Sequence, residues 1–295
     1  MKKLHVVLPI LAGLSITATV VAAQNGGIGR TVDAISSALF GGEGTSVSNV
    51  SARSGVESQS AEDFRWSGPL SAGESVEIKG INGEITVGLA TGSEVVVTAE
   101  TSARRSDPST VRIEMVEHGA GLTFCAVYPS RDGERENVCG PRDEGRMSTN
   151  NNDVNVHFQV EVPAGVDFFG RTVNGDVEIE GLASDVEAET VNGDIDISTT
   201  GFAQAETVNG SIDAVMGAAD LEEGVSFSTV NGSISLDLHD DVDADLDASW
   251  LNGDFESDLP FALQGRISRR SAQGTLGSGG PELELNTVNG SIRIR

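Results

Sequence analysis

The chain has 295 residues and a formal charge of −26. A field that negative disfavours nucleic acid and anionic membrane as partners, and leaves cations, basic proteins and neutral glycans open. Aromatics are 4% of residues against 38% hydrophobic, so any core is built from Val, Ile, Leu and Ala, which suits a repetitive β architecture better than an enzyme interior.

Met1 to Ala23 has the layout of a secretory signal. Lys2 and Lys3 precede a largely apolar run from Val6 to Val21, and Val21-Ala22-Ala23 supplies small residues for cleavage. A membrane anchor is the competing reading. Against it, the run is short and is broken by Pro9, Gly13, Ser15, Thr17 and Thr19. No cysteine follows the signal to carry a lipid, and no second apolar stretch has spanning length. The expectation is a secreted, periplasmic or cell-surface bacterial protein with no membrane span after cleavage. Loss of Lys2 and Lys3 takes the charge to −28 and leaves Lys79 as the only lysine.

Residues 24–63 are rich in Gly, Ser and Thr and read as a flexible linker, with Ile28 to Phe40 as a short amphipathic helix. Residues 64–170 read as an N-terminal β region. Period-two alternation marks strands at Ser75-Val-Glu-Ile, Glu84-Ile-Thr-Val, Glu94-Val-Val-Val-Thr, Val111-Arg-Ile-Glu-Met-Val and Val154-Asn-Val-His-Phe-Gln-Val-Glu-Val. His118-Gly119-Ala120-Gly121 is a turn between two of them. Cys125 and Cys139 are the two cysteines. In an oxidising compartment they read as a disulfide closing a loop, with two free thiols as the alternative.

Residues 171–295 are organised by repeats. Thr172-Val-Asn-Gly-Asp-Val recurs as Thr190-Val-Asn-Gly-Asp-Ile, Thr207-Val-Asn-Gly-Ser-Ile, Thr229-Val-Asn-Gly-Ser-Ile and Thr287-Val-Asn-Gly-Ser-Ile. Trp250-Leu-Asn-Gly-Asp-Phe and Ser271-Ala-Gln-Gly-Thr-Leu read as degenerate copies, and Ile81-Asn-Gly-Glu-Ile as an early outlier. The structural turns are therefore Asn82-Gly83, Asn174-Gly175, Asn192-Gly193, Asn209-Gly210, Asn231-Gly232, Asn252-Gly253 and Asn289-Gly290. Asn-Gly turns the chain through positive φ without Cβ strain. Apolar residues three and five places beyond each Asn, such as Ile195 and Ile197, give one dry face. One repeat cannot bury that face; stacked repeats can, at a rise of about 4.8 Å, and stacked Asn side chains then hydrogen-bond as a ladder. An antiparallel sandwich with Asn-Gly hairpins is the competing fold. It does not account for the same Thr-Val lead into every turn. The fold class expected is all-β, a single-stranded β-helix (β-solenoid) of short coils with a less regular N-terminal part.

These repeats, with the lead-in Ile78-Lys-Gly-Ile-Asn-Gly-Glu-Ile-Thr-Val and the segment Val160-Glu-Val-Pro-Ala-Gly-Val-Asp, resemble the bacterial putative-adhesin family. That is a family of β-solenoid domains of unknown function in which such repeats follow a signal peptide. The resemblance covers about Phe64 to Arg295. It implies an exported structural or adhesive protein without catalysis, whose surface ligand, glycan or protein, is unknown.

No catalytic constellation assembles. His5 lies in the signal, and His118, His157 and His239 sit near no recognisable nucleophile motif. A polysaccharide lyase or hydrolase is the enzymatic alternative, since clustered carboxylates serve such sites. Yet Thr172 to Gly265 holds 22 acids and no Lys or Arg, and only Trp66, Tyr128 and Trp250 stand out as sugar platforms. An extracytoplasmic cation- or glycan-binding module is the second reading, ahead of the enzyme. Asp241, Asp243, Asp245 and Asp247 alternate with Val242, Ala244 and Leu246, so four carboxylates share a wet strand face and suit Ca²⁺. Asp176, Asp194 and Asp254 form a second acidic row just after the turns. No other cofactor is expected, and either row is equally a solvated face. Finally, Arg266, Arg269, Arg270, Arg293 and Arg295 against Glu282 and Glu284 make a basic end. With the chain stopping inside a repeat, this predicts an open C-terminal edge, with either Arg293 and Arg295 as gatekeepers that keep it soluble or homotypic association through it.

Overall fold

The computed structural model describes residues 56–61, 64–130, 136–217, 224–238, 242–263 and 268–295. The expected signal, most of the linker and its short helix lie outside them. Twenty-two strands and one 3₁₀ turn, Pro108–Thr110, are present among the described residues, and no α-helix. In chain order the first eight are β1 (Val56–Ser60), β2 (Phe64–Pro69), β3 (Ser75–Lys79), β4 (Ile85–Leu89), β5 (Glu94–Ser102), β6 (Arg112–His118), β7 (Gly121–Val127) and β8 (Asn155–Val162). The repeats follow as pairs: β9 (Asp167–Arg171) with β10 (Val177–Leu182), β11 (Val186–Glu189) with β12 (Ile195–Thr199), β13 (Ala203–Asn209) with β14 (Ile212–Met216), and β15 (Val225–Asn231) with β16 (Ile234–Leu238). The last six are β17 (Ala244–Asn252), β18 (Phe255–Ser257), β19 (Phe261–Leu263), β20 (Ser271–Leu276), β21 (Glu282–Asn289) and β22 (Ile292–Ile294).

Each coil gives one strand to each of two sheets. One sheet runs β1-β6-β7-β3-β9-β11-β13-β15-β21-β17-β20-β19, the other β2-β5-β8-β4-β10-β12-β14-β16-β22-β18. The central pairings are parallel, as a solenoid requires. Hairpin-type antiparallel pairs close the ends: β1-β6, β6-β7, β2-β5 and β5-β8 at one, β17-β20 and β19-β20 at the other. The expected β-solenoid is the observed fold, and neither sheet breaks at residue 170.

The dry face is a stack of aliphatic rows. Phe158, Ile85, Val177, Ile195, Ile212, Ile234, Ile292 and Phe255 stand in register across eight strands. All but Phe255 are essentially fully buried. Apart from Phe158, these are the positions three beyond the Asn of each turn, so the inward assignment read from the repeats holds.

The order of the coils does not follow the sequence. The last coil, β21 with β22, lies between β15-β16 and β17-β18. Asn289 pairs with Asn231 on one side and Asn252 on the other. The C-terminal strand is therefore paired on both sides, which corrects the expectation of an open edge there. Of the five arginines of the basic end, Arg266 lies outside the described residues, and Arg293 lies on the sheet face against Glu256, its Nε 3.0 Å from Oε2. Ser271-Ala-Gln-Gly is also not a turn. It opens β20, antiparallel to β17. Ile81-Asn-Gly, by contrast, is a full coil, stacked directly beneath the first close repeat through Asn82 and Asn174.

Why the repeat reads Thr-Val-Asn-Gly-Asp/Ser is now visible position by position. Asn174, Asn192, Asn209, Asn231, Asn289 and Asn252 each donate from Nδ2 to the Oδ1 of the Asn one coil below, at 2.7–2.9 Å, starting from Asn82. The expected ladder is continuous through seven coils. Each Thr hydroxyl, on Thr172, Thr190, Thr207, Thr229 and Thr287, donates to the Gly carbonyl of the coil below, at 2.8–3.1 Å. Asp176 and Asp194 accept from the next coil's backbone N–H at 2.9 and 2.7 Å, and Ser211, Ser233 and Ser291 do the same at 3.1–3.2 Å.

The glycines have a different cause from the one expected. Of the seven, only Gly83 (φ 124°) and Gly253 (φ 149°) have positive φ. The shared requirement is close approach. A Cβ on Gly175, Gly193, Gly210, Gly232, Gly290 or Gly253 would lie 1.8–2.0 Å from the Gly carbonyl oxygen of its stacked neighbour. Glycine is what lets coils stack at hydrogen-bonding distance at this corner.

Candidate functional site

The densest grouping of charge lies on the outer face of the first sheet. Register places Lys79, Arg171, Glu189 and Glu206 in one row across β3, β9, β11 and β13, and Glu77, Phe169 and Glu187 in the next. Over it lies a strap, residues 137–147, anchored by the Cys125–Cys139 disulfide (Cα–Cα 5.7 Å). The expected pairing is thus the observed one. Val138 and Arg146 pair across the strap, and Asn137 clasps its base by donating to the carbonyls of Tyr128 (2.8 Å) and Ser148 (2.7 Å).

Lys79 is the peg under this strap. Its Nζ donates to the carbonyls of Gly140 (2.5 Å), Arg142 and Glu144 (3.3 Å), and lies 3.6 Å from Glu77. A ring of carbonyls around one ammonium is what a loop builds around a bound cation; here the cation is covalently part of the sheet. Glu77 accepts from the Arg142 N–H (2.9 Å) and the Thr123 hydroxyl (2.8 Å). The Arg142 guanidinium lies 3.7 Å over the Phe169 ring and 3.0 Å from Glu187. Arg171, 4% exposed, contacts Asp143, Glu187 and Glu189 at 3.2–3.3 Å. Below the strap is a void of about 10 Å³, room for no more than one water. The cluster is therefore a covered fastening, with no space for a substrate. Replacing Cys139 by Ser should lower stability by about 3 kcal/mol in the chain-entropy picture of a 14-residue separation. Thermal melts with and without reductant check this, and reductant should leave the variant unmoved.

The cluster also sets a pH dependence. Burial raises the Glu189 carboxyl above its ordinary range, with Arg171 opposing, and burial raises Glu206 likewise. On the other sheet, burial and then the neighbouring Asp213, Asp194 and Asp176 raise Asp196. A carboxyl raised in the folded state gives stability that is complete below its unfolded value and is lost as pH rises through the folded one. Asp153 works in the opposite sense. Hydrogen bonds from Ser106 hold it down to about 2, so its contribution fades only in strong acid. The melting temperature should fall by several degrees between about pH 5 and about pH 8. Glu189→Gln with Glu206→Gln should flatten that slope. A melting temperature that climbs over this interval contradicts the reading.

The sequence-expected metal face is partly present. Asp241 lies outside the described residues. Asp245 and Asp247 do share the outer face of β17, as the alternation implied, and Asp243 immediately precedes that strand. Each has a neutral donor from the neighbouring segment: the Ser278 N–H on Asp243 (2.6 Å), the Thr275 hydroxyl on Asp245 (3.1 Å) and the Gln273 amide on Asp247 (2.9 Å). Glu282 and Glu284 stand directly opposite Asp245 and Asp247 on β21. Among the described residues no three His, Cys, Asp or Glu side chains converge closely enough to hold a metal ion. In the second acidic row Asp176 and Asp194 accept the backbone bonds already described, while Asp254 donates its N–H to Ser291 Oγ at 3.2 Å.

The sugar-platform candidates are corrected. Tyr128 is 2% exposed, with its hydroxyl donating to the Val154 carbonyl at 2.9 Å. Trp66 packs on Phe124 at 5.2 Å, and Trp250 stacks on Phe255 at 5.4 Å. All three serve the core. His118 contacts Thr123 (3.2 Å) beside its turn, and His157 Nδ1 accepts from the Glu84 N–H (3.4 Å); His239 lies outside the described residues. The strap cluster was not found from sequence. Its one trace there is Lys79, the sole lysine after the signal, placed inside an alternating strand.

Taken together, the fold is a capped two-sheet β-solenoid whose repeated polar side chains are spent between coils. The chain belongs to the family described as Toastrack DUF4097, whose profile matches residues 46–295. Two solved structures are similar. One is described as "a putative cell adhesion protein" from Clostridium sporogenes ATCC 15579: 10% identity, 82% of this chain and 99% of that one covered, TM-score 0.44. The other is described as "a putative adhesin" from Bacteroides fragilis NCTC 9343: 11% identity, 79% and 96% covered, TM-score 0.23. No curated protein sequence matches. Among the described residues no helix is long and apolar enough to cross a membrane.

Proposed function

We propose that this protein is an exported, non-catalytic structural or adhesive rod that acts at or outside the bacterial cell surface. The observation that carries the reading is the use of its polar groups. The Thr, Asn and Asp/Ser rows bond coil to coil, and the buried charge cluster around Lys79 and Arg171 fastens a strap. Little chemistry is left over for catalysis. A disulfide suits an oxidising compartment, and the amino-terminal 23 residues read as the signal that would take the chain there. The acidic faces then present the surface through which a glycan or a protein ligand is met.

A second reading, a cation-dependent binding module, is favoured by one feature. Asp245, Asp247, Glu282 and Glu284 form a four-carboxylate patch, and none of the ion pairs among the described residues reaches it. One experiment addresses both. The expressed protein is located by cell fractionation, and the purified protein is applied to a glycan array with and without Ca²⁺ and screened for cleavage of acidic and neutral polysaccharides. Extracytoplasmic location with binding and no turnover supports the adhesive reading. Binding only with Ca²⁺ supports the second. Polysaccharide turnover, or cytoplasmic retention, overturns the first.

A further inference from the structure

The Asn-Gly column has a chemical consequence that depends on where each coil stands in the stack. Asn followed by Gly is the peptide sequence most prone to lose its side-chain amide. The glycine backbone nitrogen gives up its proton and attacks the Asn Cγ. A C–N bond forms, the Cγ–Nδ2 bond breaks and ammonia leaves. Water then opens the resulting succinimide to aspartate or isoaspartate. The nucleophile is the glycine nitrogen, so a hydrogen bond from its N–H suppresses the reaction, and so does a side chain locked in a ladder.

In this fold nearly every such nitrogen is held. The N–H groups of Gly83, Gly175, Gly193, Gly210, Gly232 and Gly290 donate to the backbone carbonyls of Asn174, Asn192, Asn209, Asn231, Asn289 and Asn252 in the next coil, at 2.9–3.1 Å. The pattern requires a next coil. Gly253 belongs to the terminal one, and its N–H has no acceptor among the described residues. Asn252 and Gly253 are both exposed. The Asn252 side chain is fixed on one side only, through Nδ2 to Asn289 Oδ1 at 2.7 Å.

We infer that Asn252-Gly253 is the deamidation site of the folded protein, and that the stack protects the other six repeat sites. Conversion at Asn252 replaces the amide donor by a carboxylate facing the Asn289 carbonyl oxygen. That repulsion frays the terminal coil and loosens the Asn252 carbonyl that holds the Gly290 N–H. Asn289 is then next to react, ahead of Asn231, because the order follows the stack and not the sequence.

The test is isoaspartate mapping by peptide mass spectrometry of the folded chain held in mildly alkaline buffer. Circular dichroism follows the fold, and a parallel sample is held in urea. Asn25-Gly26, outside the described residues, is scored separately. Folded protein should convert at Asn252 about ten-fold faster than at any other repeat site, with Asn289 second, whereas in urea all seven convert at similar rates. Asn252→Ser should remove the early event and leave the other six slow. Equal rates at internal sites of the folded protein, an internal site ahead of Asn252, or the same Asn252 preference in urea would each overturn the inference.

Discussion

Gly210→Ala is expected to cost about 3 kcal/mol or more, enough to compromise folding of the repeat region. The alanine Cβ would stand 1.8 Å from the Gly193 carbonyl oxygen and 2.5 Å from its carbon. Both are backbone atoms in the neighbouring coil, so no rotamer change relieves the clash. Either the two coils separate, which breaks the Asn209–Asn192 and Thr207–Gly193 bonds between them, or the corner distorts. Gly88→Ala is the matched control. It lies in a strand of the same fold, and an added Cβ there meets nothing within 4 Å. Its melting temperature should be unchanged or slightly higher, since alanine reduces the entropy of the unfolded chain. Urea unfolding of the two variants measures the contrast. Equal effects would mean that the close approach at the glycine column is not what restricts those positions.

Ile195→Asp is expected to be comparably severe. Ile195 is fully buried, in register with Val177 and Ile212. An unpaired carboxylate there costs several kcal/mol, because no partner or solvent reaches it. Its neighbour Asp196 points outward, and Asp196→Asn should change stability by less than about 0.5 kcal/mol. Its direction should be a small gain near neutral pH, since Asp213, Asp194 and Asp176 crowd that carboxylate. Thermal melts of the pair read out the two faces of one strand. A similar loss in both would reverse the inward and outward assignment.

What the sequence disclosed and what it hid follow from one distinction. Features set within a coil were legible, and so was the ladder that one recurring amide implies. The dry positions around Ile195 and Ile197 and the wet face of β17 follow from side-chain alternation, the Asn ladder from the recurrence of Thr-Val-Asn-Gly. Which coil lies against which, and the backbone contacts between them, were not. Nothing in Thr287-Val-Asn-Gly tells whether it stacks beyond Trp250-Leu-Asn-Gly or beneath it, because the same hydrogen bonds are available either way. A trace existed in Trp250. It occupies the Thr position, cannot reach a neighbour's carbonyl with a hydroxyl, and is large enough to close the core by stacking on Phe255. A residue of that kind suits a terminal coil. The glycine column was misread for a related reason. Asn-Gly carries a strong local turn preference, whereas the constraint on Gly175, Gly193, Gly210, Gly232 and Gly290 comes from a carbonyl one coil away. The strap was illegible because Gly140, Arg142 and Glu144 hold Lys79 through backbone carbonyls, which carry no residue signature.

The intercalated last coil is the claim on which the stacking order, the paired C-terminus and the exposed Asn252 all rest. Paired cysteines in the outward row just after the turns test it most directly. Ser233→Cys with Ser291→Cys joins coils that are neighbours in the stack, about 4.8 Å apart, within disulfide reach. Ser233→Cys with Asp254→Cys joins repeats that are consecutive in sequence but stand two coils apart, about 9.6 Å, beyond that reach. Under mild oxidation, thiol counting by mass spectrometry should find the first pair bonded and the second free. A bonded Cys pair at 233 and 254, with 233 and 291 left free, would contradict the structure's order of coils.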